Sequence, residues 1–163
     1  MTKPERSVRR SFSWASEVRQ VADDYLLRQV LIECPSCNSR TETHPAPGGG
    51  HEATVRVACQ ACGFTAERAY GQRPWPQPGS DGRITDPWFQ APLWLQTRCA
   101  GHVLWALNLK HLAYIEQYVQ SGLRDRNEFT QFGSALGEQL PKWLLLAKNR
   151  EPVLRSVADL RRR

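Results

Sequence analysis

Hydrophobic residues in the first half of the chain change from helical to strand-like spacing. Between Ser13 and Gln29 they recur every three or four positions, and Ser13 can cap the N-terminus, which predicts a helix with one buried face. Residues 30–32 are continuously apolar, residues 53–58 alternate between apolar and polar side chains, and residues 64–70 predict a third strand. Together these runs predict a three-stranded antiparallel sheet.

Two strand-like runs open the second half, residues 93–98 and residues 102–107. The short segment Cys99-Ala100-Gly101 joins them, which predicts a β-hairpin. Asn108 can then cap a helix. Helical spacing gives this helix an inward stripe of five residues: Leu109, Leu112, Ile115, Val119 and Leu123.

The end of the chain predicts two more helices. Pro141 suits a helix start, and the helix that it opens should run through Lys148. Asn149 is then predicted to cap a final helix. Four residues of that helix should face inward: Val153, Leu154, Val157 and Leu160.

Composition along the chain suggests its organisation. Residues 1–12 form a basic tail, residues 13–70 the helix and a zinc ribbon, and residues 88–163 the hairpin and helical region. Residues 71–87 are rich in Pro, Gly and Asp and predict a connector, while residues 45–51 predict a loop tip. We therefore expect an α+β fold in which the ribbon and the second half form one compact unit.

The charge balance narrows the class of protein only slightly. The chain has 163 residues, 40% of them hydrophobic, which suits a folded protein, and its formal charge is +6. Such a charge is compatible with binding to nucleic acid or to an acidic partner, and solubility explains it equally well. We find no signal peptide and no run of the roughly 20 apolar residues that a membrane span needs. The expected setting is the cytoplasm, where paired cysteines bind metals more often than they form disulfides.

Two Cys-x-x-Cys units carry the strongest chemical signal. They comprise Cys34 with Cys37 and Cys59 with Cys62, separated by 21 residues. Two residues between cysteines allow a tight turn that aims both sulfurs at one point, and two such turns complete a tetrahedral shell. Gly63 relieves the backbone after the second turn. The spacing predicts one structural zinc ion, which lowers the formal charge from +6 to about +4 because four thiolates outweigh the metal.

Other roles for the cysteines are weaker. A redox Cys-x-x-Cys needs a strand–helix junction, whereas both pairs lie between strand-like runs, and two disulfides are the remaining alternative. Cys99 and His102 are spaced like half of a metal site. A second site would need two of His44, His51 and His111, so a solvent-facing turn is the better interpretation. Cys99 and His102 also lack an orienting carboxylate for nucleophilic catalysis, and we expect no enzyme.

Basic and aromatic residues near the ribbon suggest a partner surface. Arginines there accompany Phe64, Tyr70 and Trp75, and further cations lie near the C-terminus. Cations that contact phosphates beside rings that stack on bases are typical of nucleic-acid binding. The candidate contacts are Arg56, Arg68, Arg73, Lys148, Arg150 and Arg155. Alternatively, the rings pack the fold and the arginines keep it soluble, which leaves a protein–protein adaptor as the competing hypothesis.

Two resemblances extend this interpretation. Residues 30–70 resemble the zinc ribbon of basal transcription factor IIB. The stretches 92–97, 104–108, 140–143 and 147–150 resemble a family of small, largely uncharacterised bacterial zinc-ribbon proteins. The family resemblance implies zinc and a bacterial cytoplasmic setting, and it implies no biochemical activity.

Overall fold

The structure, a computed structural model, describes residues 29–45, 54–69, 76–121 and 140–163. It has an α+β fold, with two α-helices and three antiparallel sheets in these residues. The strands are β1 (Val30–Glu33), β2 (Arg40–Pro45), β3 (Thr54–Ala58), β4 (Thr65–Ala69), β5 (Gln77–Pro78), β6 (Ile84–Thr85), β7 (Leu95–Cys99) and β8 (His102–Ala106). The helices are α1 (Leu109–Ser121) and α2 (Arg150–Arg161), with 3-10 turns at Lys142–Leu145 and Ala147–Asn149. The predicted tail and N-terminal helix lie outside the described residues.

The ribbon sheet has four antiparallel strands in the order β1-β2-β3-β4, so the prediction of three was wrong. Strand β2 escapes a search for apolar alternation because its two buried side chains are threonines, Thr41 and Thr43. Their hydroxyls have partners: Thr41 donates to the Ala58 carbonyl at 3.0 Å, and Thr43 accepts the Val30 N–H at 3.3 Å. Burying these polar groups is therefore tolerated.

The outer edge of β1 is covered by the second half of the chain. The Leu31 N–H donates to the Leu107 carbonyl at 2.8 Å, and the Leu31 carbonyl accepts the Trp94 N–H at 2.9 Å. Ile32 forms an isolated antiparallel β-bridge with Leu93. Leu93 was predicted to start the first strand of the hairpin, but it lies before that strand. Ile32, Leu93 and Leu107 are completely buried in one hydrophobic cluster. The two halves thus share a core as well as backbone hydrogen bonds.

The described part of the predicted connector contains a small two-stranded sheet, β5 with β6. Gln96 of β7 ties this sheet down, because its side chain accepts the Ile84 N–H at 2.8 Å and donates to the carbonyls of Ile84 and Leu93. The turn that follows β6 is closed by Asp86, whose buried carboxylate accepts three backbone N–H groups. Burial raises the pKa of Asp86, and these hydrogen bonds offset part of that rise.

The predicted hairpin is confirmed as β7 paired with β8, but its turn is shorter than expected. Ala100 and Gly101 form it alone, with φ of 50° and 80°, the left-handed values of a type I′ turn. Cys99 and His102 are the last paired residues of the strands. Ala100, Gly101 and His102 are exposed, which confirms the predicted solvent-facing turn, whereas Cys99 beside it is buried.

Helix α1 begins after Asn108, whose side chain accepts the His111 N–H at 2.9 Å, which confirms the predicted cap. Leu112, Ile115 and Val119 are buried as predicted. Leu109 is 46% exposed, so its inward assignment was wrong, and His111 takes the buried place in the first turn. Leu123 lies outside the described residues.

The predicted helix from Pro141 to Lys148 is instead two 3-10 turns separated at Leu146, which is 47% exposed. Asn149 stands at the N-cap position of α2 but makes no capping bond. Its side chain donates to the Trp143 carbonyl at 2.8 Å and so stabilises the preceding turn. The predicted inward positions of α2 pack against α1 and the hairpin, with Leu154 partly buried and three residues fully so: Val153, Val157 and Leu160. None of the helices in the described ranges is long and apolar enough to cross a membrane.

Candidate metal centre

The two Cys-x-x-Cys units form the turns between β1 and β2 and between β3 and β4. In the first turn, the Asn38 N–H donates to the Cys34 carbonyl at 2.9 Å, and the Cys34 N–H donates to the Ser39 carbonyl at 2.8 Å. The second turn repeats both bonds at the same relative positions, from Gly63 to Cys59 and from Cys59 to Phe64. Each of these two turns, or knuckles, is therefore closed by two hydrogen bonds of its own backbone, independently of a metal ion.

Both knuckles place the residue after their second cysteine in the left-handed region. Gly63 has φ of 75°, as expected for glycine, and Asn38 has φ of 59°. Asparagine is the non-glycine residue that tolerates this conformation best, because its short side chain can bond locally. The sequence argument identified Gly63 only; Asn38 directly after Cys37 is the signal that could have revealed the matching position.

The four sulfurs converge. Cys34 Sγ lies 3.7 Å from Cys62 Sγ, Cys37 Sγ lies 3.7 Å from Cys59 Sγ, and all four lie within 4.8 Å of one another. A tetrahedral thiolate site with metal–sulfur bonds of about 2.3 Å has sulfurs about 3.8 Å apart. All four are free cysteines, so no disulfide joins them. The donor set and its spacing thus fit a tetrahedral metal ion.

Electrostatics also favours a cation here. Hydrogen bonds from the Ser39 hydroxyl and N–H stabilise the Cys37 thiolate and lower the pKa of Cys37 to about 6. The Phe64 N–H favours the Cys62 thiolate, but hydrogen bonds with Cys37 and the other thiols together with burial prevail and raise the pKa of Cys62 to about 11. Sulfurs this close cannot all ionise without a positive charge between them. Metal binding must therefore release protons, and affinity should fall at low pH.

The four cysteines differ in how far they are exposed to solvent. Cys34 and Cys59 are buried, and the Ser36 N–H lies 3.4 Å from Cys34 Sγ. Cys37 and Cys62 are exposed. Four thiolates complete a tetrahedral shell, which leaves no position for a catalytic water.

The described residues do not form the second candidate metal site. Among the described residues, the four cysteines are the only group of ligands close enough to share an ion. The exposed His102 ring stacks on the Trp143 ring, with 4.6 Å between the ring centroids, and does not belong to a group of metal ligands. His44 lies 3.7 Å from Glu42, and the buried His111 accepts the Leu107 N–H. His51 lies outside the described residues.

Most of the predicted nucleic-acid contacts have partners within the protein. Arg56 pairs with Glu67 at 3.0 Å, and the Arg68 guanidinium lies over the Phe89 ring at 5.7 Å. Near the C-terminus, Arg150 donates to the Gln120 carbonyl, Arg155 lies 4.0 Å from Glu151, and Lys148 is exposed. Arg73 lies outside the described residues.

Comparison with known proteins adds no family to this description. No protein-family model, curated protein or solved structure matches the chain, so both resemblances stay predictions.

Proposed function

We propose that this chain is a non-catalytic zinc-ribbon protein that uses one structural zinc ion to hold a surface for a protein partner. The convergence of the four sulfurs carries the metal part of the proposal. Tetrahedral thiolate donors select zinc or iron, and zinc is the usual ion of a ribbon with a filled shell. Zinc bound in this way contributes on the order of 10–16 kcal/mol to folding.

Elemental analysis of the purified protein tests the metal directly. We expect about one zinc per chain, and Cys37→Ser should abolish stoichiometric zinc because three thiolates no longer fill the shell. Cys99→Ser is the matched control, since Cys99 is buried away from the cluster and should leave the zinc content unchanged. Zinc retained in full by Cys37→Ser, or iron in place of zinc, would contradict the assignment.

Charge pairing on the ribbon supports a protein partner over nucleic acid. The solvent-facing side of strands β2 to β4 carries Arg40 and Arg56 against Glu42 and Glu67, and each arginine lies within ion-pair distance of a glutamate. Phosphate binding draws its affinity from cations that are free to neutralise the backbone. A face whose charges already cancel is better suited to another protein, where balanced pairs give specificity.

A separate surface keeps nucleic acid as the second candidate. Lys142 and Lys148 have no ion-pair partner among the described residues, and they flank the segment that contains Trp143. Trp143 stacks with the exposed His102, at an angle of 10° between the rings. Free cations beside stacked rings are the components of single-strand binding surfaces.

Binding of mixed-sequence single-stranded RNA and DNA at two salt concentrations separates the two functions. The double variant Lys142→Ala/Lys148→Ala is compared with Arg56→Ala, which removes a cation that is already paired. Nucleic-acid binding would weaken steeply with salt and would be lost in the double variant only. No binding by the wild type even at low salt, together with a nuclease-resistant complex with a cellular protein that Arg56→Ala weakens, is the result expected for the proposed function.

A further inference from the structure

The two knuckles are asymmetric in the same way. In each, the first cysteine is buried, with 0% of Cys34 and 3% of Cys59 exposed, and the second is exposed. The residues between the cysteines are exposed as well, so Cys37 and Cys62 lie on the solvent-facing side of the cluster. A metal centre of this shape has two protected ligands and two that reagents in solution can reach.

We propose that Cys37 and Cys62 are modification sites at which peroxides and soft electrophiles attack the metal-bound thiolates and release the ion. The inference rests on the proposed zinc ribbon and adds a reactivity to it. Thiolates, not thiols, are the nucleophiles in such reactions, and zinc keeps its cysteine ligands deprotonated at neutral pH. Access then decides which of the four sulfurs reacts first.

The reaction with a peroxide is balanced by the ligand sulfurs themselves. The Cys37 thiolate attacks one peroxide oxygen, the O–O bond breaks, and sulfenic acid and hydroxide form. A second ligand thiolate, such as Cys59 at 3.7 Å, then attacks that sulfur; an S–S bond forms and a second hydroxide leaves. Two electrons pass from the two sulfurs to one peroxide. With two ligands consumed, the remaining pair cannot hold the zinc ion, which departs as Zn²⁺.

An electrophile such as N-ethylmaleimide gives the same loss without oxidation. The thiolate adds to the double bond of the maleimide, a C–S bond forms, and the adjacent carbon takes a proton from water. The thioether left behind is neutral and a much weaker ligand for zinc than the thiolate was. The buried Cys34 and Cys59 should react only after the first ligands have left and the knuckles have opened.

The test uses the whole 163-residue chain, loaded with zinc, at neutral pH. Zinc release is followed with a colorimetric chelator while aliquots treated with N-ethylmaleimide or hydrogen peroxide are digested and mapped by mass spectrometry. Early in the reaction with N-ethylmaleimide, Cys37 and Cys62 should carry at least about tenfold more modification than Cys34 and Cys59. With hydrogen peroxide, the first disulfide should contain Cys37 or Cys62. With either reagent, zinc should appear in step with the modification. Cys99→Ser is the control for the fifth thiol, which is buried and should not change the release rate.

Two results would overturn the inference: zinc that stays bound after modification, or first alkylation by N-ethylmaleimide at Cys34, Cys59 or Cys99. Failure of the proposed function is distinct, because elemental analysis before any reagent is added would then find no metal. A protein that holds one zinc ion, releases it with either reagent and is alkylated first at the two exposed cysteines meets the expectation in full.

Discussion

His111 offers a sharp test of how the second half is held together. It lies fully buried in the first turn of α1, where its Nδ1 accepts the Leu107 N–H at 3.2 Å and its ring meets Trp105 edge-on at 5.7 Å. A proton on Nδ1 would remove that acceptor and put a charge into an apolar site. Burial accordingly lowers the pKa of His111 from 6.5 to about 4.

The size of the effect follows from these two values. Between pH 6.5 and 4 the unfolded chain binds a proton that the folded protein excludes, so the free energy of unfolding falls as the pH falls. The shift corresponds to about 2 kcal/mol lost between pH 7.5 and 5.0, and about 3 kcal/mol once the pH is below 4. Above pH 7 the full stabilisation is present.

Urea unfolding at pH 7.5 and 5.0 measures this loss in the wild type, in His111→Gln and in His102→Gln. Protonation of the metal ligands also lowers stability at pH 5.0, but this contribution is common to all three proteins and cancels in the comparison. The wild type should lose about 2 kcal/mol more than His111→Gln over this range. His102 is exposed, so His102→Gln should lose as much as the wild type.

Equal pH dependence in the wild type and His111→Gln would refute this reasoning. It would mean that the folded protein admits the proton, through water or through movement of α1 away from Leu107. A pH dependence that disappears in His102→Gln would instead place the titrating group at the hairpin end.

Substitutions at three further positions test turns and a buried polar contact. Gly63→Ala should lower the free energy of unfolding of the zinc-loaded protein by about 1 kcal/mol, because alanine disfavours the positive φ of this position. The loss should be no larger, since a Cβ there meets no other atom within 4 Å. Gly63→Asn should lower it by less, since Asn38 adopts the same conformation in the other knuckle. Ala100→Asn should raise it by about 1 kcal/mol, seen as a higher melting temperature, because a type I′ turn favours Asn before Gly, and an unchanged or lower value would contradict the turn assignment. Gln96→Leu should lower it by about 2 kcal/mol and speed hydrogen exchange of the Ile84 amide, which loses its acceptor; unchanged exchange there would show that another group replaces Gln96.

The cysteine cluster was predictable because its signal is local. A tight turn needs its two cysteines close in sequence, and the pair occurs twice, so the four cysteines that converge could be named without the fold. The hairpin and the cap at Asn108 were predictable for the same reason, since each depends on a few consecutive residues. The turn at Ala100 and Gly101 was predicted one residue too long, because the sequence does not show whether Cys99 ends the strand or begins the turn.

What the sequence did not predict depends on contacts between distant residues. Strand β2 is recognisable only when Thr41 and Thr43 are seen to have partners on other strands, and His111 belongs to the core only because Leu107 satisfies its ring. The pairing of Arg56 with Glu67 likewise requires the register of β3 with β4. Polar residues can be assigned to core or surface only after these neighbours are known.

The backbone bonds on both edges of β1 have a consequence for the order in which the chain folds. The contact between Cys34 and Cys62 closes a loop of 28 residues. The hydrogen bond between Leu31 and Leu107 closes a much longer loop. Closing a longer loop loses more chain entropy, so the metal-bound ribbon should form before the second half docks. Until docking, β1 has one unpaired edge, the kind of edge that pairs with other chains. During synthesis without zinc, this strand is therefore where we expect aggregation to begin.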